Sequence, residues 1–328
     1  MMYDDPNYLG LFQEADFLEG YEQGKSEEEI ISQSSACAAL GKEGYFPDAY
    51  VSSPGAMIYE NIREDGAGAY KKRLIRDVLD FESDDLLIPS TKPFAFVTKA
   101  MAVLVKYYAD KYGCHSLLQL NADDSRAEIA QYIPDDMRYT GYSDQKDRCE
   151  LANLYLKLIN KGNGSVYLRS QSDHLPESDI CIGGQQMGQW SVTTSFSRKR
   201  DLPDMLASAR NIVFYAFSPF HLNGTVNTIN EPIYTALLED DLIDTVLTWC
   251  HGHLIIINKN KIHKGYVRFV NACDLTIHEK YMDRVDVDRL IERLEDTTTD
   301  NANSFMVSNQ TILDHHAILT EETYIVKS

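Results

Sequence analysis

The sequence lacks any CxxC pair. Its six cysteines, Cys37, Cys114, Cys149, Cys181, Cys250 and Cys273, are scattered along 328 residues. That spacing speaks against a structural zinc site, and the density is too low for a disulfide framework. Reduced thiols are expected. Positive charge is scarce: 31 Lys and Arg stand against 50 Asp and Glu, a net charge of −19. Affinity for nucleic acid or acidic membranes rests on cations that neutralise phosphates, so a general binder of either is excluded. A local basic pocket for one phosphate is still compatible with this balance. The first six residues lack the basic-then-apolar order of a signal peptide. The best apolar stretch, 93–109, is broken by Lys99 and Lys106 and is not expected to span a bilayer. These features predict a soluble protein of the cytoplasm. There is no internal repeat and no glycine-rich phosphate loop, because Gly183-Gly184 has neither a GxGxxG nor a GKS/T context.

What is present is ordinary globular composition, 44% hydrophobic and 25% charged, enough to bury a sizeable core. The length suits two domains or one large α/β domain. Residues 1–45 are acidic and polar and read as a surface helix or arm. Helices are predicted over 69–80, 94–112, 145–160, 231–241 and 285–294. The segment 94–112 is the best patterned, with Val97, Met101, Leu104, Val105 and Tyr108 recurring at spacings of three and four. Strands are predicted over 165–170, 180–186, 191–197 and 248–258, and the apolar run 209–217 reads as a helix. A polar linker fills 295–304. This mixture without strict alternation predicts α+β or a mixed α/β layer and not a Rossmann chain. The division expected is an arm over 1–45, a catalytic domain over 46–294 and a linker with a C-terminal segment over 295–328.

Three features could carry chemistry. Cys181 lies between Ile180 and Ile182, where an inert core thiol is the commoner outcome. The run Arg198-Lys199-Arg200-Asp201 follows a predicted strand; it is either a solvated strand end or an anion site, for which arginine forks are suited. His251, His253, His315 and His316 have no standard metal-ligand spacing, so no metal site is expected.

Taken in order, the residues Cys181, Gln186, Arg198-Lys199-Arg200-Asp201, Asn211 to Phe217 and Gly252-His253 resemble the thymidylate synthase superfamily, which includes the deoxynucleotide hydroxymethylases. Ser143-Asp144-Gln145, Thr91-Lys92 and Arg138 to Tyr142 add to the likeness, which spans about half of the chain. The resemblance implies a mixed sheet with helices packed on one face, a homodimer, and a small pyrimidine nucleotide as partner, with no nucleic acid or membrane. It also implies a catalytic trio of Cys181, Asp201 and Asn211. The Cys181 thiolate would attack C6 of the base, so that C5 captures the one-carbon unit of 5,10-methylenetetrahydrofolate. Arg198, with Lys199 and Arg200 beside it, would bind the phosphate. His253 would reach the sugar, and Gln186 and Tyr215 would line the pocket. Asn211 favours uracil, since a carboxamide both donates and accepts.

The departures are specific. Val166-Tyr167 stand where the family has an arginine pair, and Met101-Ala102-Val103 where it has a proton-relaying Glu. No Trp falls in 121–134 to shield the intermediate, which tilts the expectation from methylation toward hydroxymethylation. Two rivals follow: a non-catalytic binding or assembly protein on the same fold, and an ADP-ribosyl or nucleotidyl transferase. The latter is suggested by Val166 to Arg169 and Thr193-Thr194-Ser195.

Overall fold

The structure, a computed structural model, describes residues 6–42, 48–81, 92–122, 127–170, 174–184, 201–217, 227–249, 252–278, 283–296 and 303–324. Five helices open the chain: α1 (Pro6–Glu22), α2 (Glu27–Gln33), α3 (Ser35–Lys42), α4 (Asp48–Asp65) and α5 (Ala67–Asp80). The acidic run at 27–29 is the first turn of α2. Ser26 caps it, accepting from the Glu29 amide, while the Glu29 carboxylate accepts from the Ser26 amide. Tyr8, Phe17, Leu18, Ile62, Tyr70 and Leu74 bury together with Leu151, Leu154, Tyr155 and Leu158 of α7 (Lys146–Leu158). Among the described residues, α1 to α3 do not stand apart as an arm: their apolar stripe shares one core with α4, α5 and α7.

The sheet has nine strands: β1 (Ser116–Leu120), β2 (Arg138–Ser143), β3 (Gly164–Leu168), β4 (Ser178–Gly184), β5 (Ala209–Phe217), β6 (Ile243–Trp249), β7 (Gly252–Asn258), β8 (Tyr266–Asn271) and, after a β9 (Thr276–His278)–β10 (Asp283–Val285) pair, β11 (Ser304–Ser308). Their order is β11-β8-β6-β7-β5-β4-β1-β2-β3. Strands β1 to β5 run parallel, and β7 is antiparallel to both β5 and β6. The segment 209–217 is thus a strand and not a helix. It is apolar on both faces because both faces are covered, a pattern whose periodicity cannot separate helix from strand.

Helices cover both faces of the sheet, not one. On one side α6 (Lys92–Tyr112), α7 and α10 (Val287–Glu295) pack on Leu117, Ile180, Ile182, Phe214 and Ile256. On the other, α8 (Asp201–Ser208), α9 (Asn227–Glu239) and α11 (Asn309–Asp314) pack on Leu118, Leu120, Cys181, Val213 and Ile255. Alternate residues of each strand feed alternate layers. The C-terminal segment is part of this body: β11 pairs with β8, and the Tyr324 ring lies 5.2 Å from that of Phe269. Among the described residues, no helix is long and apolar enough to cross a membrane.

Candidate ligand crevice at the carboxyl ends of the strands

In a parallel sheet of this kind, the chain leaves β1 toward one edge and β4 toward the other. Ligands bind outside the carboxyl ends of the strands at that reversal. Here the reversal lies between β1 and β4. Asn121 ends β1 with φ 55°, a left-handed conformation that Asn tolerates. The Ala122 amide then donates to the Tyr142 carbonyl at 2.9 Å, turning the chain onto β2. Gly141 of β2 makes room for that turn: a Cβ there would lie 2.7 Å from the Ala122 Cβ and 2.9 Å from Val166 Cγ2. The Ala127 amide donates to the Ala122 carbonyl at 2.7 Å, and both alanines are fully buried. A 3-10 turn over Glu128–Gln131 then leads toward β2. Among the described residues, no α-helix separates β1 from β2.

Three elements meet above these strand ends. Asp201, the first residue of α8, is 1% exposed. Its Oδ2 accepts from Asn121 Nδ2 at 3.2 Å, and its Oδ1 accepts from Arg169 Nη1 at 2.6 Å. Arg169 Nη2 donates to Asp204 Oδ2 at 2.6 Å, and the Arg169 amide donates to the Ser143 carbonyl at 2.7 Å. Arg169 starts just past β3 and its guanidinium reaches the first turn of α8, to which Asn121, just past β1, also bonds through Asp201. The arrangement is a guanidinium clamped by two carboxylates, both in the first turn of α8, where the helix dipole favours negative charge.

The glycines nearby serve the protein's own packing. Gly184 ends β4 with φ 141°, and a Cβ would sit 2.1 Å from the Ala216 carbonyl oxygen of β5. A Cβ on Gly183 would meet Met205 Sδ at 2.8 Å and Leu120 Cβ at 3.3 Å.

Of the residues expected to act together, Cys181, Asn211 and His253 do not meet. Cys181 sits in mid-strand opposite Leu118 and Val213, fully buried, and burial pushes its thiol up to about 12. A thiol so placed is not a thiolate at neutral pH. Asn211 lies near the amino end of β5, where its Nδ2 donates to Cys114 Sγ at 3.5 Å and its Oδ1 accepts from Asn260 at 2.9 Å. His253 pairs with Phe217 at the other end of β5, about 20 Å away at roughly 3.3 Å per residue. Tyr215 is buried in the core beneath α8 and α9. Gln186, Arg198, Lys199, Arg200 and His251 lie outside the described residues. Among the described residues, no group of His, Cys, Asp and Glu could hold a metal ion. Of the expected residues that are described, Asp201 alone stands at the crevice, in a different role. Its partners Asn121 and Asp204 were missed, and Arg169 was noted as an arginine displaced from the family's pair and as an echo of another enzyme class.

No family model matches the sequence, and no curated protein matches it. Among solved structures, the chain is similar to the methyltransferase subunit of a type I restriction-modification system from Streptococcus thermophilus. The TM-score is 0.64 at 14% identity, covering 94% of this chain and 79% of that one. It is also similar to an O-methyltransferase from Bacillus cereus in complex with SAH, with a TM-score of 0.37 at 10% identity, covering 53% of this chain and 94% of that one. The fold is that of the Streptococcus thermophilus methyltransferase subunit. This overturns the thymidylate synthase resemblance. With it go the pyrimidine nucleotide substrate, methylenetetrahydrofolate as cofactor, and the rivals framed beside it. The homodimer rested on the same resemblance and loses its support.

The described residues at the strand ends are largely taken up by the protein's own packing. The connection 121–127 contains no glycine to let backbone approach a ligand, and Ala122 fills the space that Gly141 leaves. Both oxygens of Asp201 are already engaged, and Arg169 lies over the strand ends. One feature of a nucleoside bed is kept: Asp144, exposed, follows the end of β2, where a ribose-binding carboxylate stands in sheets of this kind.

Proposed function

We propose that this chain is a methyltransferase-fold subunit of a DNA-modification assembly of the restriction-modification kind, and that a partner chain supplies the contact to DNA. The observation that carries this reading is the extent of the likeness to the Streptococcus thermophilus subunit. It takes in 94% of the chain, and so the opening helices and the β8–β11 extension besides the parallel sheet. The charge of −19 supports the second half of the proposal, because a subunit so acidic has too few cations to hold a duplex unaided.

The test is co-expression with the reading frames that flank its gene, followed by light scattering on the eluted complex and a mobility shift with duplex DNA. The chain is expected to co-elute with a partner in fixed stoichiometry. The complex, and not the chain alone, is expected to shift DNA at about 150 mM salt. A chain that stays without a partner, or a complex indifferent to DNA, overturns the proposal. A second reading, favoured by Asp144, is that this chain itself binds the methyl donor and transfers the methyl group. Its test is incorporation of labelled methyl into DNA by the complex, lost on Asp144→Ala.

A further inference from the structure

We infer that a cavity between α6, α10 and the sheet, at the end of the molecule opposite the crevice, binds a small zwitterion of the free amino-acid class. Its ammonium group pairs with Asp244 and its carboxylate faces Lys111 and Arg268. This site goes beyond the subunit reading above and does not depend on it.

The cavity has a volume of about 310 Å³, in the range of small-molecule sites. Its floor is the sheet. Asp244 and Thr245 lie at the start of β6, and Arg268 of β8 stands in register with Thr245 on one side and with Met306 of β11 on the other. Asn258, also on the floor, ends β7 opposite Ile212 near the start of β5, and α6 ends just before β1. The cavity therefore lies at the amino ends of β1, β5 and β6. The last turns of α6 form one wall with Tyr107, Tyr108 and Tyr112. The rings of Tyr108 and Tyr112 stack at 6.1 Å, and that of Tyr107 stands edge-on to Tyr108 at 5.0 Å. Their tips are held: the Tyr112 hydroxyl accepts from Asn258 Nδ2 at 3.0 Å, and the Tyr107 hydroxyl donates to Glu295 at 3.1 Å. Such rings offer flat apolar area that is already ordered when a ligand arrives.

Asp244 is at odds with its surroundings. It is half-buried, and among the described residues its carboxylate accepts one hydrogen bond, from its neighbour Thr245 at 3.3 Å. No cation of the described residues stands within ion-pair distance of it. Lys261, Lys111 and His263 pull its pKa down from further off, but burial outweighs them and holds the carboxyl above its usual range. Lys261 is bonded to Asp241 at 2.6 Å. Asp241, only three residues earlier, gathers three donors on one oxygen and is held below the usual range. A carboxyl that is desolvated without a matching partner costs the fold stability, and binding sites are where such groups are kept.

The mixture of charges selects the ligand. Among the described lining residues, Asp244 and Glu295 are balanced by Lys111 and Arg268. A plain amine would meet both cations beside its counter-charge, whereas a zwitterion has a group for each sign. Arg268 holds its Nε and Nη2 on Ser304 Oγ at 3.0 and 2.9 Å, which fixes its charge on the floor. Asp244 and Arg268 come from neighbouring strands, about 4.8 Å apart, a spacing that suits one α-carbon bearing an ammonium and a carboxylate. The side chain of the ligand then lies along the tyrosine wall.

The experiment is isothermal titration of the full chain with each of the common L-amino acids in turn, up to about 10 mM. The decarboxylated amine and the deaminated acid of the best binder are measured beside it. Saturable binding is expected for one or a few amino acids, with the amine and the acid each at least about tenfold weaker. Asp244→Asn is expected to weaken binding by at least about tenfold while Tm holds or rises, because no charge pair within the protein is lost. Lys111→Ala removes an exposed cation. It is expected to weaken binding about threefold at unchanged Tm, and it keeps the test open should Asp244→Asn fail to fold. A chain that binds no amino acid overturns the inference, as does an amine that binds as well as its parent amino acid. Binding untouched by Asp244→Asn overturns it too, and so does a fall in Tm of about 5 °C in that variant, which marks a carboxyl held for folding.

Discussion

His253 opens β7 with its Nδ1 3.0 Å from Thr248 Oγ1, and burial lowers its pKa to about 4. In the unfolded chain the same ring titrates near 6.5. Between those values only the unfolded chain takes the proton. The stabilisation is therefore complete above about pH 6.5 and is lost as pH falls toward 4, an effect on the order of 2 kcal/mol. His253→Gln keeps a polar partner for Thr248 but cannot titrate. It should flatten the slope of Tm against pH between 7 and 4.5 relative to the parent, and an equal slope in both proteins would refute the assignment. Cys181 makes a second prediction. Its buried thiol, held up to about 12, should escape iodoacetamide at pH 8 while exposed Cys273 is labelled within minutes, with Cys181 reacting only after unfolding. The apolar neighbours Ile180 and Ile182 made this legible in the sequence. Matching an ordered set of motif residues misled, because order along the chain says nothing of depth along a strand. Asn211 and Phe217, the partner of His253, fall at opposite ends of β5, a separation invisible while 209–217 was read as a helix.

Asp241 shows how the elements are tied. It ends the turn after α9 in a left-handed conformation, φ 56°. One carboxylate oxygen accepts from Lys261 Nζ at 2.6 Å, from the Gly265 amide at 2.9 Å and from Asn309 Nδ2 at 2.9 Å. The α9–β6 turn, the β7–β8 loop and the start of α11 are thereby joined at one atom. Desolvation pushes the Asp241 carboxyl up, but these donors outweigh it and hold it below the usual carboxylate range. Its contribution is therefore present above about pH 4 and is lost as pH falls through the lowered value. Asp241→Asn keeps an oxygen and tolerates the backbone, yet it takes from the Lys261 side chain, 0% exposed, the carboxylate to which it is hydrogen-bonded. A loss of about 3 kcal/mol is expected, seen as a lower urea midpoint with unchanged slope. Replacing Lys261 by Met in the same chain should recover part of it. Such a hub escapes sequence reading because its three donors come from positions 20, 24 and 68 residues away. The helices 94–112 and 145–160 were legible, by contrast, since amphipathic periodicity is a local signal.

At the scale of the molecule, the sheet order is the feature that sequence could not supply. The parallel strands leave no pairing signal in the chain, and the sequence carries no glycine-rich motif at the exit of β1, where among the described residues a 3-10 turn leads to β2. The packing of α1 to α3 was missed for a related reason: their acidic surface dominates composition, while the apolar stripe beneath is spread over three elements. Their role predicts a final outcome. α7 is buried on two sides, with Ala152 and Leu156 toward the sheet and Leu151, Leu154, Tyr155 and Leu158 toward α1 and α5. Removing residues 1–81 would bare the second group, four large side chains each worth about 1.5–3 kcal/mol when buried. An exposed apolar patch of that size on one helix drives association. The fragment 82–328 is therefore expected to bind a hydrophobic dye strongly and to scatter light at micromolar concentration. Leu154→Glu and Leu158→Glu placed in the fragment should restore a monomer, whereas in the full chain the same pair should destabilise. A fragment that is monomeric without them would show that the helical layer rests on the sheet domain without being needed to cover it.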